Sequence, residues 1–336
     1  MKRRLLAVSL GMVLAFSFAA CGSEGGESAN VSSVSGSAEA ESTSGGKAVE
    51  DLKVGVVMKS SDEFQNQVVE GAKAACIEAG IPEANFSNVA STSESDAAQQ
   101  VTAIEDMIAS GIDILLCACQ EENALIDVLQ RAADEGIKVV MVDTDNTLLE
   151  DKVTYIGTDN YEAAYEGATA FAQNYLKEGD NVVILRGKLG DVNHENRTEG
   201  LQDALEENGI NVLDVQDANC ETDKAASAME SFLSAYPGQI NGVMVTSDSM
   251  AVGAAQAIEN AGAEGIQICG FDGFQSAIAL VETGQIQMII GQKPYEMGYE
   301  GLNCGLGALD GETYDAYINP GIQIIDADNY TEFLDA

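Results

Sequence analysis

The sequence has no tryptophan, a single histidine and four prolines, and aromatic residues fill only 6% of its 336 positions. It is also poor in positive charge, because 16 lysines and arginines face 55 aspartates and glutamates, for a net charge of −39 at pH 7. Such a surface repels phosphates, so we expect no nucleic-acid partner and interpret the acidity as a solvated surface. The sequence contains neither a P-loop nor a G-x-S-x-G nucleophile motif.

The N-terminal residues predict a signal peptide over positions 1–20. A basic start at positions 2–4 precedes the apolar run Leu5–Phe18, which is too short to span a membrane comfortably. The following Ala19-Ala20-Cys21 resembles the bacterial lipobox, in which small residues precede a lipidated cysteine, although Phe18 stands where leucine is usual. We therefore expect lipidation of Cys21, with an ordinary cleaved secretion signal as the alternative.

Residues 21–50 are rich in serine, glycine, alanine and glutamate. This composition buries too little apolar surface to offset the loss of chain entropy, so we expect a lipidated, flexible linker. The linker would tether an extracytoplasmic domain to the outer face of the bacterial cytoplasmic membrane, with the lipid as its only membrane contact.

From Lys53 onward, patterns typical of strands and helices alternate. The predicted strands are Val54–Met58, Ile112–Cys117, Lys138–Val142, Tyr155–Gly157, Val182–Leu185, Val212–Val215, a short run at Val243–Val245, and Ile266–Cys269. The predicted helices include Ala97–Ile108, Ala124–Ala133, Glu162–Leu176 and Lys224–Leu233. This alternation indicates βαβ units, and two rounds of it indicate an α/β protein with two Rossmann-like lobes and parallel sheets. No run of glycine, proline or charge separates the rounds, so we expect short hinge strands.

The segment Val243–Gly273 contains a candidate binding cleft. Its two predicted strands end in Ser247-Asp248 and in Asp272. Because ligands collect at the carboxyl ends of parallel strands, we expect these polar residues to line a cleft. We expect Asp272 to be solvated at the cleft mouth while the lobes are open.

Several motifs, each weak alone, occur in a consistent order and spacing. They are VGVVM with Phe64 and Gly71-Ala72, VVMVDTD at 139–145, YIGTDNYEAAYEGA at 155–168, Arg197-x-x-Gly200, SDSMAVGAAQAI at 247–258, GFDG at 270–273 and GQKPYEMG at 291–298. From about Lys53 to Asn329 the chain thereby resembles the type I periplasmic binding proteins of the ribose- and galactose-binding group, the solute receptors of ABC importers.

The resemblance implies a three-strand hinge, with crossings near Gly157, Gln292 and Pro320, and closure of the lobes around a small ligand. It implies an N-terminal lobe of residues 51–157 and 293–320, and a C-terminal lobe of residues 158–292 and 321–336. At the positions that contact sugar in the family, this chain has Asp62, Phe64, Gln65, Asp143, Thr144, Asn193, Arg197, Ser247, Asp272 and Gln292.

The sequence departs from the family at several positions of the site, among them Ser247, where asparagine is usual. Gln65 stands where a second aromatic is common, Thr144 stands where ribose receptors have arginine, and a third stacking aromatic is replaced near Cys220. The carboxylates remain, and they accept hydrogen bonds from hydroxyls while arginine and amides supply donors. We therefore expect a sugar, a polyol or an amino sugar as ligand. The alternatives are that Asp62 serves only as a helix cap and that Gln65 or Asp145 is part of the solvated surface.

Other chemistry has little support in the sequence. His194 has no partner at the spacing of a metal site or a triad, so we interpret it as a surface helix residue. A disulfide within Cys117-Ala118-Cys119 would be strained, and we interpret the six cysteines after Cys21 as mostly buried thiols. We expect no metal and no cofactor.

The expected function is a monomeric, non-enzymatic solute receptor that delivers its ligand to the permease subunits of an ABC importer. A sensory receptor of the same fold, which presents its ligand to a membrane signalling partner, is the alternative.

Overall fold

The structure is a computed structural model that describes residues 47–91 and 97–334. The predicted signal peptide, the predicted lipidation site Cys21 and nearly all of the predicted linker lie outside the described residues. The strands are β1 (Val54–Met58), β2 (Phe86–Ala90), β3 (Ile114–Cys117), β4 (Lys138–Val142), β5 (Thr154–Ile156), β6 (Asn181–Arg186), β7 (Asn211–Asp217), β8 (Gly242–Val245), β9 (Gln267–Asp272), β10 (Met288–Gly291), β11 (Tyr317–Ile318) and β12 (Gln323–Asp326). The α-helices are α1 (Glu63–Ala79), α2 (Ala97–Ser110), α3 (Glu122–Asp134), α4 (Asn160–Tyr175), α5 (Val192–Glu207), α6 (Thr222–Ala235), α7 (Asp248–Ala261), α8 (Gln275–Glu282) and α9 (Pro294–Leu309). Short 3-10 helices cover Val49–Asp51, Glu83–Asn85 and Tyr330–Glu332.

The strands form two six-stranded sheets, and the prediction of two α/β lobes is confirmed. The first sheet has the order β11-β5-β4-β3-β1-β2, with every neighbouring pair parallel. The second has the order β12-β10-β9-β8-β6-β7, and all its pairs are parallel except that β12 runs antiparallel to β10. The chain enters β12 directly from the end of β11, with no helical crossover that would turn it parallel.

The central strands are buried on both faces, as helix-covered parallel strands must be. Strands β1, β3, β8 and β10 are buried at every residue, and their sequences are short apolar runs. Helix α9 returns the C-terminal part of the chain to the first sheet by packing on α1. A Cβ atom at Gly71 would lie 1.9 Å from the carbonyl oxygen of Tyr295, and one at Gly298 would lie 1.9 Å from that of Val68. Glycine therefore permits the close approach of these two helices.

The sequence patterns located buried strands better than helix starts or sheet edges. Strands β1 and β4 have the predicted bounds, whereas α3, α4 and α6 each begin two residues earlier than predicted. Their first turns are polar and lack the apolar periodicity of a helix. Strands β2, β10, β11 and β12 were not predicted. The side chains of the edge strand β2 are mostly exposed and do not alternate, whereas β10 was missed although it is fully buried.

The chain passes between the sheets three times, between β5 and α4, between β10 and α9, and between β11 and β12. Each crossing leaves a strand at its carboxyl end. The polar loops of both lobes therefore meet at these crossings.

Within the described part of the chain, no helix has the length and apolar character needed to cross a bilayer.

Candidate functional site

A cavity of about 390 Å³ lies between the carboxyl ends of the two sheets. Its size falls in the range of small-molecule sites, roughly 300–1,000 Å³. Nine of the ten predicted ligand-binding residues line it: Asp62, Phe64, Gln65, Asp143, Asn193, Arg197, Ser247, Asp272 and Gln292. The structure thus brings together side chains that are up to 230 positions apart in the sequence (292 − 62).

The wall from the first lobe is built around Asp143, which follows β4. Asp143 adopts a left-handed backbone conformation, with φ of 61°. Its Oδ2 atom lies 2.9 Å from Lys59 Nζ and accepts a 2.9 Å hydrogen bond from Gln65 Nε2. Thr144 does not line the cavity, and its hydroxyl instead accepts a 2.7 Å hydrogen bond from Lys59 Nζ. Gln65 is buried, so its interpretation as solvated surface is wrong.

Two other acids of the first lobe have different environments. Asp62 is the N-cap of α1, where its Oδ1 accepts a 2.9 Å hydrogen bond from the Gln65 backbone N–H, and it also lines the cavity. A cap and a cavity wall are therefore compatible at this position. Asp145 forms an ion pair with Lys152 at 2.9 Å and is not among the lining residues.

The wall from the second lobe is built around Arg197 on α5. Its Nη1 donates to Asp272 Oδ1 at 3.0 Å and to the Thr246 carbonyl at 2.9 Å, and its Nε donates to Asn160 Oδ1 at 2.7 Å. The guanidinium also lies 4.0 Å from the centre of the Phe271 ring. These contacts hold the charged plane of Arg197 in one orientation at the cavity wall.

Asp272 joins this wall to a hinge crossing. Its Oδ1 accepts a 2.7 Å hydrogen bond from Gln292 Nε2, and its backbone carbonyl accepts one of 2.8 Å from the Gln292 N–H. The side chain is buried in this structure, in which hydrogen bonds join the two lobes. Burial raises the pKa of Asp272, and the Arg197 guanidinium and the Ser247 hydroxyl partly offset that rise.

His194 is not the surface residue that its sequence context suggested. Its ring lines the cavity, with Nδ1 2.9 Å from Thr246 Oγ1 and Nε2 3.2 Å from Cys220 Sγ. Burial, together with the nearby Arg197 charge, lowers the pKa of His194 to about 4. The imidazole is therefore neutral at pH 7 and extends the hydrogen-bonding wall.

Several lining residues were not predicted as ligand contacts: Lys59, Ser60, Asp191, His194, Asn219, Cys220, Ser249 and Phe274. Lys59 directly follows β1, just as Asp143 directly follows β4. Asp191 is the N-cap of α5. Phe274 packs against the core of the first lobe although it follows β9 of the second, and nothing in the sequence signals that contact.

Two hydrogen bonds join the lobes beside the cavity. Asn193 Nδ2 of the second lobe lies 3.3 Å from Thr144 Oγ1 of the first. The Gln275 N–H donates to Glu63 Oε1 at 2.7 Å. The cavity is thus bounded by both lobes. Among residues 47–91 and 97–334, no group of three or more histidine, cysteine and acidic side chains is placed to hold a metal ion.

A polar cavity at the carboxyl ends of two parallel sheets, spanned by three chain crossings, defines a two-lobed solute-binding protein. The chain belongs to the periplasmic binding protein family, since the model described as "Periplasmic binding protein domain" matches residues 54–313.

Similar proteins of the family are sugar-binding proteins. The chain is 31% identical to the D-ribose/D-allose-binding protein of Pseudomonas aeruginosa over 79% of this chain and 84% of that protein. It is 29% identical to a ribose import binding protein of Salmonella typhimurium, over 67% of this chain and 75% of that protein. A crystal structure of an ABC transporter periplasmic solute-binding protein from Actinobacillus succinogenes, with bound D-allose, superposes with a TM-score of 0.78 at 28% identity. That match covers 84% of this chain and all of the other.

Proposed function

We propose that the protein is an extracytoplasmic receptor that captures a sugar or sugar-like ligand between its lobes and delivers it to an ABC permease. The observation that carries this proposal is the cavity wall itself, in which two ion pairs, Lys59–Asp143 and Arg197–Asp272, face one space from opposite lobes. The ribose and allose ligands named for its relatives support the same class of ligand.

The chemistry of the wall suits a ring that carries several hydroxyls. Each hydroxyl is both a donor and an acceptor, so it can bond a carboxylate on one side and an arginine or amide on the other. Asp143 and Asp272 supply acceptors, while Arg197 and Asn193 supply donors. Phe64 supplies an apolar surface for the carbon-bound face of the ring.

Amino sugars and polyols belong to the proposed ligand class. The lining carries four carboxylates, of Asp62, Asp143, Asp191 and Asp272, and two cations. Each cation already pairs with one of these acids. The carboxylate surplus favours a neutral or cationic ligand over an anionic one.

We further propose that the lobes close on the ligand as rigid bodies, with the N-terminal lobe formed by residues 51–157 and 293–320 and the C-terminal lobe by residues 158–292 and 321–336. The protein acts in this scheme as a monomer without enzymatic activity. Binding energy from both walls is available only in the closed form, so the ligand shifts the population toward it.

Calorimetric titration with D-ribose, D-allose, xylitol and D-glucosamine tests this function. A ligand of the proposed class should bind with a stoichiometry of one, and at 100 times its dissociation constant should add about 2.7 kcal/mol to the free energy of unfolding. Small-angle scattering with the same ligand should show a smaller radius of gyration. Absence of binding across the panel would refute a receptor for single sugars and polyols, and binding without compaction would refute closure.

The anchor is proposed at Cys21. In the native host, the Cys21→Ala variant should leave the membrane fraction or stay unprocessed, because no acyl chain can be attached. Membrane fractionation with mass determination of the N-terminus measures this, and a processed variant that remains membrane-bound would refute lipidation.

A further inference from the structure

A second cavity, of about 280 Å³, adjoins the ligand cavity. The two cavities share Phe64, Asp272, Phe274 and Gln292 in their linings. We call the second one the flanking cavity. Its other walls come from α1, from the start of α8, from the hinge crossing before α9 and from β12.

The flanking cavity has the polar lining of a ligand site. Phe64, Gln67 and Glu70 follow one another at intervals of three along α1, so one helix face presents the shared aromatic and two polar side chains. Gln275 and Gln323 add amides from the second lobe. The residues therefore come from both lobes, as they do in the ligand cavity.

The shared residues are held in place by contacts of their own. Gln292 is fixed by its 2.7 Å hydrogen bond to Asp272 Oδ1, and both side chains are buried. Phe64 and Phe274 pack against the core of the first lobe. The two polar cavities thus share a border of two aromatic and two hydrogen-bonded polar side chains. A ligand with two polar units joined by a less polar link can place one unit in each cavity and the link beside the shared side chains.

We propose that the flanking cavity is a second subsite, and that the protein takes a disaccharide or glycoside whose second unit occupies it. The inference rests on the proposed function, since it names the size of the ligand for the same receptor. Glu70 is exposed, so the flanking cavity reaches the surface and can admit substituents of different lengths.

The test compares free sugars with their disaccharides. Calorimetric titrations with D-glucose, D-ribose and D-allose are set against trehalose, maltose, cellobiose and gentiobiose. At least one disaccharide should bind more tightly than D-glucose. In the Gln67→Phe variant, which fills the flanking cavity, the ratio of disaccharide to monosaccharide affinity should fall about tenfold, the equivalent of about 1.4 kcal/mol.

The Gln202→Phe variant, at an exposed position on α5, is the matched control and should keep the wild-type ratio. Glu70→Ala, which shortens an exposed lining side chain, should lower the ratio in the same direction without adding bulk. If free sugars bind and no disaccharide does, or if Gln67→Phe leaves the ratio unchanged, the second subsite is refuted and the proposed function stands. If no sugar of either kind binds, both are refuted.

Discussion

Each wall of the ligand cavity contains one ion pair between a cation and an aspartate, and the two pairs differ in how far the cation is buried. In the first lobe, the Lys59 side chain remains 14% exposed beside Asp143. In the second lobe, the Arg197 and Asp272 side chains are only 5% and 7% exposed, and Arg197 has further partners in Thr246 and Asn160. The Lys59 ammonium therefore remains partly hydrated, whereas the Arg197 guanidinium is surrounded by protein groups in place of water.

Because of this difference, we expect the Arg197–Asp272 pair to contribute more to the stability of the fold than the Lys59–Asp143 pair does. A buried charge that loses its partner is strongly destabilising, because neither water nor another group compensates it. A charge near the surface regains water and loses less. The second-lobe pair is therefore part of the fold as well as of the site, and the first-lobe pair is the more adjustable of the two. Replacing each acid by asparagine, which removes the charge and keeps the shape, tests the comparison.

The largest effect is expected at Asp272. The Asp272→Asn variant should lose about 3 kcal/mol of unfolding free energy, because Arg197 is left buried without a counter-charge. Urea denaturation measures the loss. The matched control is Asp217→Asn, where an exposed acid pairs with Arg186 and a change of about 0–1 kcal/mol is expected. Equal losses in the two variants would show that the Arg197–Asp272 pair is not a structural element.

A smaller loss of stability is expected at Asp143. The Asp143→Asn variant should lose about 1–2 kcal/mol of unfolding free energy, since Lys59 keeps its bond to Thr144 and some contact with water. Asparagine also tolerates the left-handed backbone at this position. Ligand affinity should fall by roughly one to two orders of magnitude, as expected for a lost charge-assisted bond.

Urea denaturation and calorimetry on the same Asp143→Asn preparation separate these two effects. A stability loss as large as that of Asp272→Asn would erase the distinction between the walls.

The third prediction concerns Asp248, which lies behind the second-lobe wall. Its Oδ2 accepts hydrogen bonds from the Gly273 and Phe274 N–H groups, at 2.7 and 2.8 Å. Burial raises the pKa of Asp248 well above its usual value, and the nearby Asp272 adds to the rise. The folded state therefore holds this proton more tightly than the unfolded state. Wild-type stability should fall as pH increases from the ordinary aspartate value toward the folded pKa.

The Asp248→Asn variant lacks this titration, so its stability relative to wild type should improve with pH, by at most about 1.4 kcal/mol per pH unit. Urea denaturation of both proteins at pH 5, 6 and 7 measures the difference. The lowered pKa of His194 acts in both proteins and cancels. A difference that does not change with pH would show that folding does not raise the pKa of the Asp248 carboxyl.

The sequence by itself determined the alternation of strands and helices and the strand-end positions of Asp143 and Asp272. Both follow from local physics, because a strand covered on both faces needs a continuous apolar run and the next residues must be polar to leave it. The two-lobed fold was predictable from such patterns together with the family motifs, which also supplied nine of the seventeen residues that line the cavity.

Only the tertiary structure decided how deeply each group is buried and which partner it meets. His194 lies in a cavity wall because α5 packs beside the loop after β8, and Phe274 crosses to the core of the other lobe. The burial of Asp272 likewise depends on Arg197, 75 positions away, and on Gln292, 20 positions away. Desolvation and ion pairing depend on distances between chain segments, and these distances exist only after the two sheets and the hinge have formed.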